Sequence, residues 1–126
     1  DSWSTQWSCT QEVRAGENLP YSLKSDGIGL RLTFDLANKI VTQRYRDAEE
    51  GWFDKQQHDF KILFRGGGLA VWPFPIPTGH RFRLSAFAFN TGKFEQRFVR
   101  LAEDLDEGYG QLISVGFLDY DCAPLD

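Results

Sequence analysis

The sequence predicts an all-β domain: an antiparallel barrel, closed or partly open, of about eight strands, with a β-sandwich as the alternative. Three observations carry this. Short stretches alternate apolar and polar residues with a period of two, as half-buried antiparallel strands do. Turn-forming Asn, Gly and Pro recur between those stretches at regular spacing. The aromatic content is high, with eleven Phe, four Tyr and four Trp in 126 residues, enough to fill one core in a chain of single-domain length. Residues 1–126 therefore read as one all-β domain.

The elements follow in order. STQWSCT, Ser4 to Thr10, reads as a first strand. LRLTFDL, Leu30 to Leu36, sets Leu30, Leu32, Phe34 and Leu36 on one face and Arg31, Thr33 and Asp35 on the other. Ala37–Lys39 makes the hairpin turn, because Asn38 tolerates a positive φ, and Ile40–Tyr45 returns as the partner strand. Arg46–Gln57 carries Asp47 as a cap with Glu50 three residues on, so a loop with one helical turn is expected there. Asp59–Phe64 is another strand. The glycines Gly66–Gly68 then turn into a short strand at Leu69–Val71.

The segment from Trp72 to Pro77 alternates Trp72, Phe74 and Ile76 with Pro73, Pro75 and Pro77. Proline has no N–H to donate, so this segment is expected at an edge or a crossover and not in a central strand. His80–Phe89 alternates Phe82, Leu84 and Ala86 against Arg81, Arg83 and Ser85, while Phe87 and Phe89 lie on the opposite phase. Either both faces are apolar there or a bulge shifts the phase. Asn90–Gly92 is a turn with Gly92 available for a left-handed position, and Lys93–Val99 comes back. Leu101–Gly108 suits a short helix or turn. Gly110–Cys122 is a long last strand whose glycines allow it to bend.

Charge is unevenly distributed around a net value of −4. Residues 60–100 hold seven Lys/Arg and one acid, whereas residues 101–126 hold seven acids and no base. Basic strands paired with the acidic carboxy-terminal part explain this most simply; a basic face for an anionic partner is the sharper alternative. The overall acidity disfavours nucleic acid. No apolar run approaches the roughly 20 residues of a membrane-spanning helix. Met is absent, which suggests either a product freed of a secretory signal or a domain cut from a longer protein.

The two cysteines, Cys9 and Cys122, are expected to form a disulfide, because an even count in an exported protein pairs and the chain ends of a small β domain are neighbours. Their spacing suits neither a metal nor CxxC redox chemistry, so the pair is structural. The two histidines, His58 and His80, lack the partners of a metal site. His58 and Asp59, adjacent on a strand, point to opposite faces and do not form an acid–base pair. The glycine run has no GK[ST] after it, which removes a phosphate loop. The acids of Glu103–Gly110 lack calcium-loop spacing. No cofactor and no metal is expected, and no catalytic residue stands out.

WSCT, LRLTFDLANKIVT, FAFNTGKFEQ and the closing DYDC resemble small exported proteins of Gram-negative bacteria, in which one disulfide joins the ends of an eight-stranded antiparallel barrel. Periplasmic inhibitors of C-type lysozyme and avidin- or lipocalin-like binders share that general shape. The resemblance implies a periplasmic or secreted binding protein, but no ligand residue carries over from it. The expected function is non-enzymatic binding of another protein, as an inhibitor or envelope accessory, through Trp72, Phe74, Arg81 and Arg83. The alternative is a small-ligand carrier with its ligand inside the barrel. A hydrolase is the least favoured. An exposed edge or aromatic ridge would also suit a homodimer. Whether Trp72 points into the barrel or out of it is the question on which these readings divide.

Overall fold

A computed structural model describes residues 3–12, 29–47, 51–64, 68–76 and 80–125. Nine strands form one antiparallel sheet: β1 Gln6–Glu12, β2 Gly29–Asp35, β3 Ile40–Asp47, β4 Gly51–Asp59, β5 Lys61–Leu63, β6 Leu69–Ile76, β7 Arg81–Ala88, β8 Lys93–Leu101 and β9 Leu112–Pro124. The sheet order is β4-β3-β2-β1-β9-β8-β7-β6-β5. The sheet curls into a nearly closed barrel in which β4 comes back against β6. The all-β barrel expectation holds, with nine strands in place of about eight.

Every neighbouring pair but one is a hairpin. The exception is β1–β9, which pairs the two ends of the described chain from Trp7↔Pro124 to Glu12↔Asp119. Cys9 and Cys122 face each other in that ladder and form the expected disulfide.

The core is one cluster that runs through the barrel and includes Leu30, Leu32, Tyr45, Trp72, Leu118 and Tyr120; its densest group of rings lies where β1 begins and β9 finishes. Trp7, Phe34, Phe60, Phe87 and Phe89 are buried there, and Trp3 and Leu36 pack against them. Trp3 stacks on Phe89 with centroids 4.8 Å apart. Phe34 lies at the centre, in ring contact with Phe60, Trp72, Phe87 and Phe89.

Two local expectations are corrected, at Arg46–Gln57 and at Asn38. Arg46–Gln57 does not carry a helical turn over its described residues. Gly51–Gln57 belongs to β4, and a bulge between Gln43 and Tyr45 lets β3 and β4 stay paired past it. Glu50 of the expected cap lies outside the described residues. Of the helix or turn expected over Leu101–Gly108, the turn holds: Gly108 N donates to the Leu105 carbonyl oxygen at 3.3 Å. In the first hairpin turn the left-handed residue is Lys39 at φ 58°, not Asn38. Asn38 instead donates from its backbone N and from Nδ2 to the Asp35 carboxylate, at 3.1 and 2.8 Å. Gly92 takes the left-handed conformation expected of it, at φ 74°. Of the three glycines, Gly68 alone lies within the described residues.

The proline-rich stretch is strand β6, paired with β7 from Leu69↔Ala88 to Ile76↔Arg81. β5 covers its other side only at Leu69–Val71, so Trp72–Ile76 is an edge, as the prolines require. Pro73 and Pro75 have no N–H to give β7, so each can sit only where its nitrogen faces away from β7. That side faces β4. The missing donors explain why β4 and β6 approach without a ladder and leave a seam.

Candidate functional site

β7 is the strand that departs from ordinary patterning. Its register with β6 and β8 is continuous, so no bulge shifts its phase. Arg83, Ser85, Phe87 and Phe89 turn inward and are buried. Leu84 turns outward and is 45% exposed. Phe82, Leu84 and Ala86 therefore form the outer face, and Arg83 and Ser85 enter the barrel. Both faces carry apolar residues, and that ambiguity in the sequence is resolved in favour of a partly polar interior.

The interior is layered. The apolar plug fills one end. Across the middle run stacked rings: Trp72 on Phe94 at 5.5 Å, and Phe94 beside Tyr120 at 5.3 Å. Trp72 is fully buried and points inward. Its indole Nε1 donates to Gln43 Oε1 at 3.1 Å. Toward the other end polar side chains join the buried Leu30 and Leu118. Gln43 and Tyr45 come from β3, Gln56 and His58 from β4, Phe74 from β6, Arg83 from β7 and Gln96 from β8.

Arg83 is the centre of this polar group. It is 7% exposed, and its guanidinium lies over the Phe74 ring, 4.8 Å from the centroid. It donates to Gln56 Oε1 at 3.1 Å, and at 3.5 Å to Gln43 Oε1 and the Tyr45 hydroxyl. All three acceptors are neutral. Taking an ion out of water costs several kcal/mol unless an opposite charge and full hydrogen bonding offset it, and here the described partners offer no carboxylate.

Several buried polar atoms around Arg83 have no hydrogen-bond partner among the described residues: Arg83 Nε, Gln43 Nε2, Gln96 Oε1, the Tyr120 hydroxyl and His58 Nε2. Buried polar groups are ordinarily satisfied, and five of the seven unbonded buried side-chain atoms of the described residues belong to this group. Gln96 does bond Ser85, its Nε2 donating to Oγ at 3.3 Å. Burial raises the Tyr120 hydroxyl well above the usual phenol value, with Tyr45 adding to the rise and Arg83 opposing it, so this phenol stays protonated and able to donate. Burial, and then the charge of Arg83, lower His58 below the usual imidazole value, which favours neutral imidazole. His58 packs edge-on to Phe74 at 5.0 Å, across the seam.

The four residues singled out in the sequence are thus partly united. Trp72, Phe74 and Arg83 meet inside the barrel, with Trp72 and Arg83 sharing Gln43 Oε1. Arg81, at the start of β7, is exposed and apart from them. Gln43, Tyr45, Gln56, Gln96 and Tyr120 went unnoticed in the sequence, and His58 was weighed there only as a metal ligand or acid–base partner. A signal for one pair existed in IVTQRY, where Gln43 and Tyr45 share the face of Val41.

Outside the barrel, the seam opens as a groove of ≈ 630 Å³ lined by Gln57, His58, Asp59, Phe60, Lys61, Val71 and Pro73. The basic strands meet the acidic carboxy-terminal part through ion pairs: Lys93–Asp121 at 2.5 Å, Arg97–Asp119 at 3.2 Å and Arg100–Glu107 at 2.9 Å. His80 joins Glu103 at 2.8 Å on the surface. Three of the seven Lys/Arg of residues 60–100 are thus paired with the acidic part, and among the described residues Arg83 is not one of them. No group of three or more His, Cys, Asp or Glu among the described residues could hold a metal ion, and no described helix is long and apolar enough to cross a membrane.

Fold and site together define a nearly closed antiparallel barrel with one apolar end and one end where incompletely satisfied polar side chains join the core. No protein-family model, characterised protein or solved structure matches the chain.

Proposed function

We propose that the protein is an exported, non-enzymatic binding barrel that holds a small ligand inside its polar end. The observation that carries this reading is Arg83, a buried cation among neutral partners, surrounded by buried polar atoms that the described protein leaves unbonded. The period-two alternation that buries Phe87 and Phe89 also turns Arg83 and Ser85 inward, but it leaves the polar atoms around Arg83 without partners among the described residues. A ligand inside the polar end supplies them. The disulfide between Cys9 and Cys122 supports export, because such bonds persist in oxidising compartments.

The expectation of a protein-binding aromatic ridge loses its anchor, since Trp72 is fully buried. Of the four residues assigned to that surface, Arg81 is the one left exposed.

Native mass spectrometry tests the proposal. The protein is purified without denaturant and incubated with a small-molecule extract of the producing cells. A retained mass that disappears on unfolding is the expected result. The bare chain mass after every such incubation would overturn the reading.

A further inference from the structure

The chemistry left open at the polar end is unequal. Three unbonded groups there are donors: Arg83 Nε–H, Gln43 Nε2–H and the Tyr120 hydroxyl. One, Gln96 Oε1, is an acceptor, and His58 Nε2 is either, according to tautomer. The missing partner therefore presents mainly acceptors. Arg83 also lacks a described counter-charge, and a guanidinium with free N–H groups pairs most strongly with an oxyanion. Charge count then limits the anion. One buried guanidinium neutralises one negative charge, and a second would be buried unpaired. Phe74 lies against the guanidinium, its ring centroid 4.8 Å away, and is an apolar neighbour for the body of such an anion.

We propose that the polar end of the barrel binds a small organic monocarboxylate, its carboxylate held by Arg83 with Gln43 and Tyr120 as further donors. This assignment rests on the ligand-binding reading above and gives it a ligand class. Tyr120 and Gln43 come from β9 and β3, so the bound group would tie strands on different sides of the barrel to β7.

Benzoate titration followed by nuclear magnetic resonance provides the test. The reporter is the Trp72 indole N–H, assigned through its loss in Trp72→Phe. It donates to Gln43 Oε1, which also accepts from Arg83, so occupation beside Arg83 must move it. Benzoate is expected to shift this resonance saturably. Benzamide, its neutral counterpart, and inorganic phosphate, largely a dianion at pH 7.5, are expected to bind at least tenfold more weakly. Arg83→Met is expected to weaken benzoate at least tenfold while leaving the thermal midpoint unchanged or higher, because it removes an incompletely compensated buried charge. A midpoint that falls sharply in that variant assigns Arg83 to the fold and overturns the proposal. Tyr120→Phe supplies an independent arm, with a loss of threefold or more expected; unchanged affinity overturns the proposal. So does an indole resonance unmoved by benzoate, or one moved equally by benzamide or phosphate. A preparation that carries a neutral small molecule yet ignores benzoate removes the carboxylate assignment alone. Bare protein with no benzoate response removes the ligand-binding reading as well.

Discussion

Arg83 stands between Phe82 and Leu84, and the arginine turns inward while the leucine meets water. A strand with apolar residues on both phases does not disclose which phase is core, so this inversion was not legible from periodicity. Trp72 was half legible: the alternation placed it with Phe74 opposite the prolines, but not on the inner side. Gly92 was fully legible as a left-handed turn residue, and its environment sharpens the expectation. A Cβ there would lie 2.4 Å from the Cys122 carbonyl oxygen, whereas one on Gly110, also at positive φ, would meet nothing within 4 Å. Both alanine variants bear the left-handed backbone cost of about 1–2 kcal/mol. Gly92→Ala is expected to cost clearly more than Gly110→Ala in urea unfolding, and equal losses would refute the steric argument. His58 yields a prediction in pH. Its folded value is lowered, so the unfolded chain takes up the proton first as pH falls below about 6.5. Its contribution is intact above that pH and erodes downward until the lower folded value is passed. Wild type should therefore lose more stability than His58→Gln between pH 7.5 and 5.5. Parallel losses in chemical denaturation would show that His58 carries none of the slope.

At the scale of elements, the clear hairpins were those with strong alternation: β2–β3 around residues 36–39 and β7–β8 around residues 89–92. β4 was missed because an edge strand reading Lys55-Gln56-Gln57-His58-Asp59 shows no apolar alternation, and the Asp47 and Glu50 signals suggested a helical turn. Ladder pairing with β3 outweighs those local preferences. The polar site shared this obscurity, since Gln56 and His58 belong to the same strand. β2 and the connection after β5 make the opposite contrast. Phe34 on β2 is buried amid four other rings, whereas Phe64 is 75% exposed. Phe34→Ala is expected to cost about 3–5 kcal/mol and Phe64→Ala no more than about 0.5 kcal/mol. Similar denaturation midpoints for the two variants would contradict the placement of the core.

For the whole molecule, composition was a sound guide to the class of fold, and the cysteine count to the bond that joins its ends. Cys9 and Cys122 are 113 residues apart. In the chain-entropy model, a link over that distance stabilises by about 4–5 kcal/mol. The double variant Cys9→Ala, Cys122→Ala should lose stability on that order, and thiol titration of the unfolded, unreduced wild type should find no reactive thiol. Two reactive thiols there would remove the bond and the case for export built on it. The polar group inside the barrel was not legible, because its parts lie on β3, β4, β6, β7, β8 and β9 and become neighbours only when the sheet curls. The position of β1–β9 also shapes how that curling proceeds. β1–β4 and β5–β9 are two meanders of local hairpins, which close at little entropic cost. The β1–β9 ladder alone must wait for distant segments to find each other. Folding of the reduced chain should therefore be limited by that single encounter. With the disulfide in place the encounter is already made, and the two meanders need only zip outward from it.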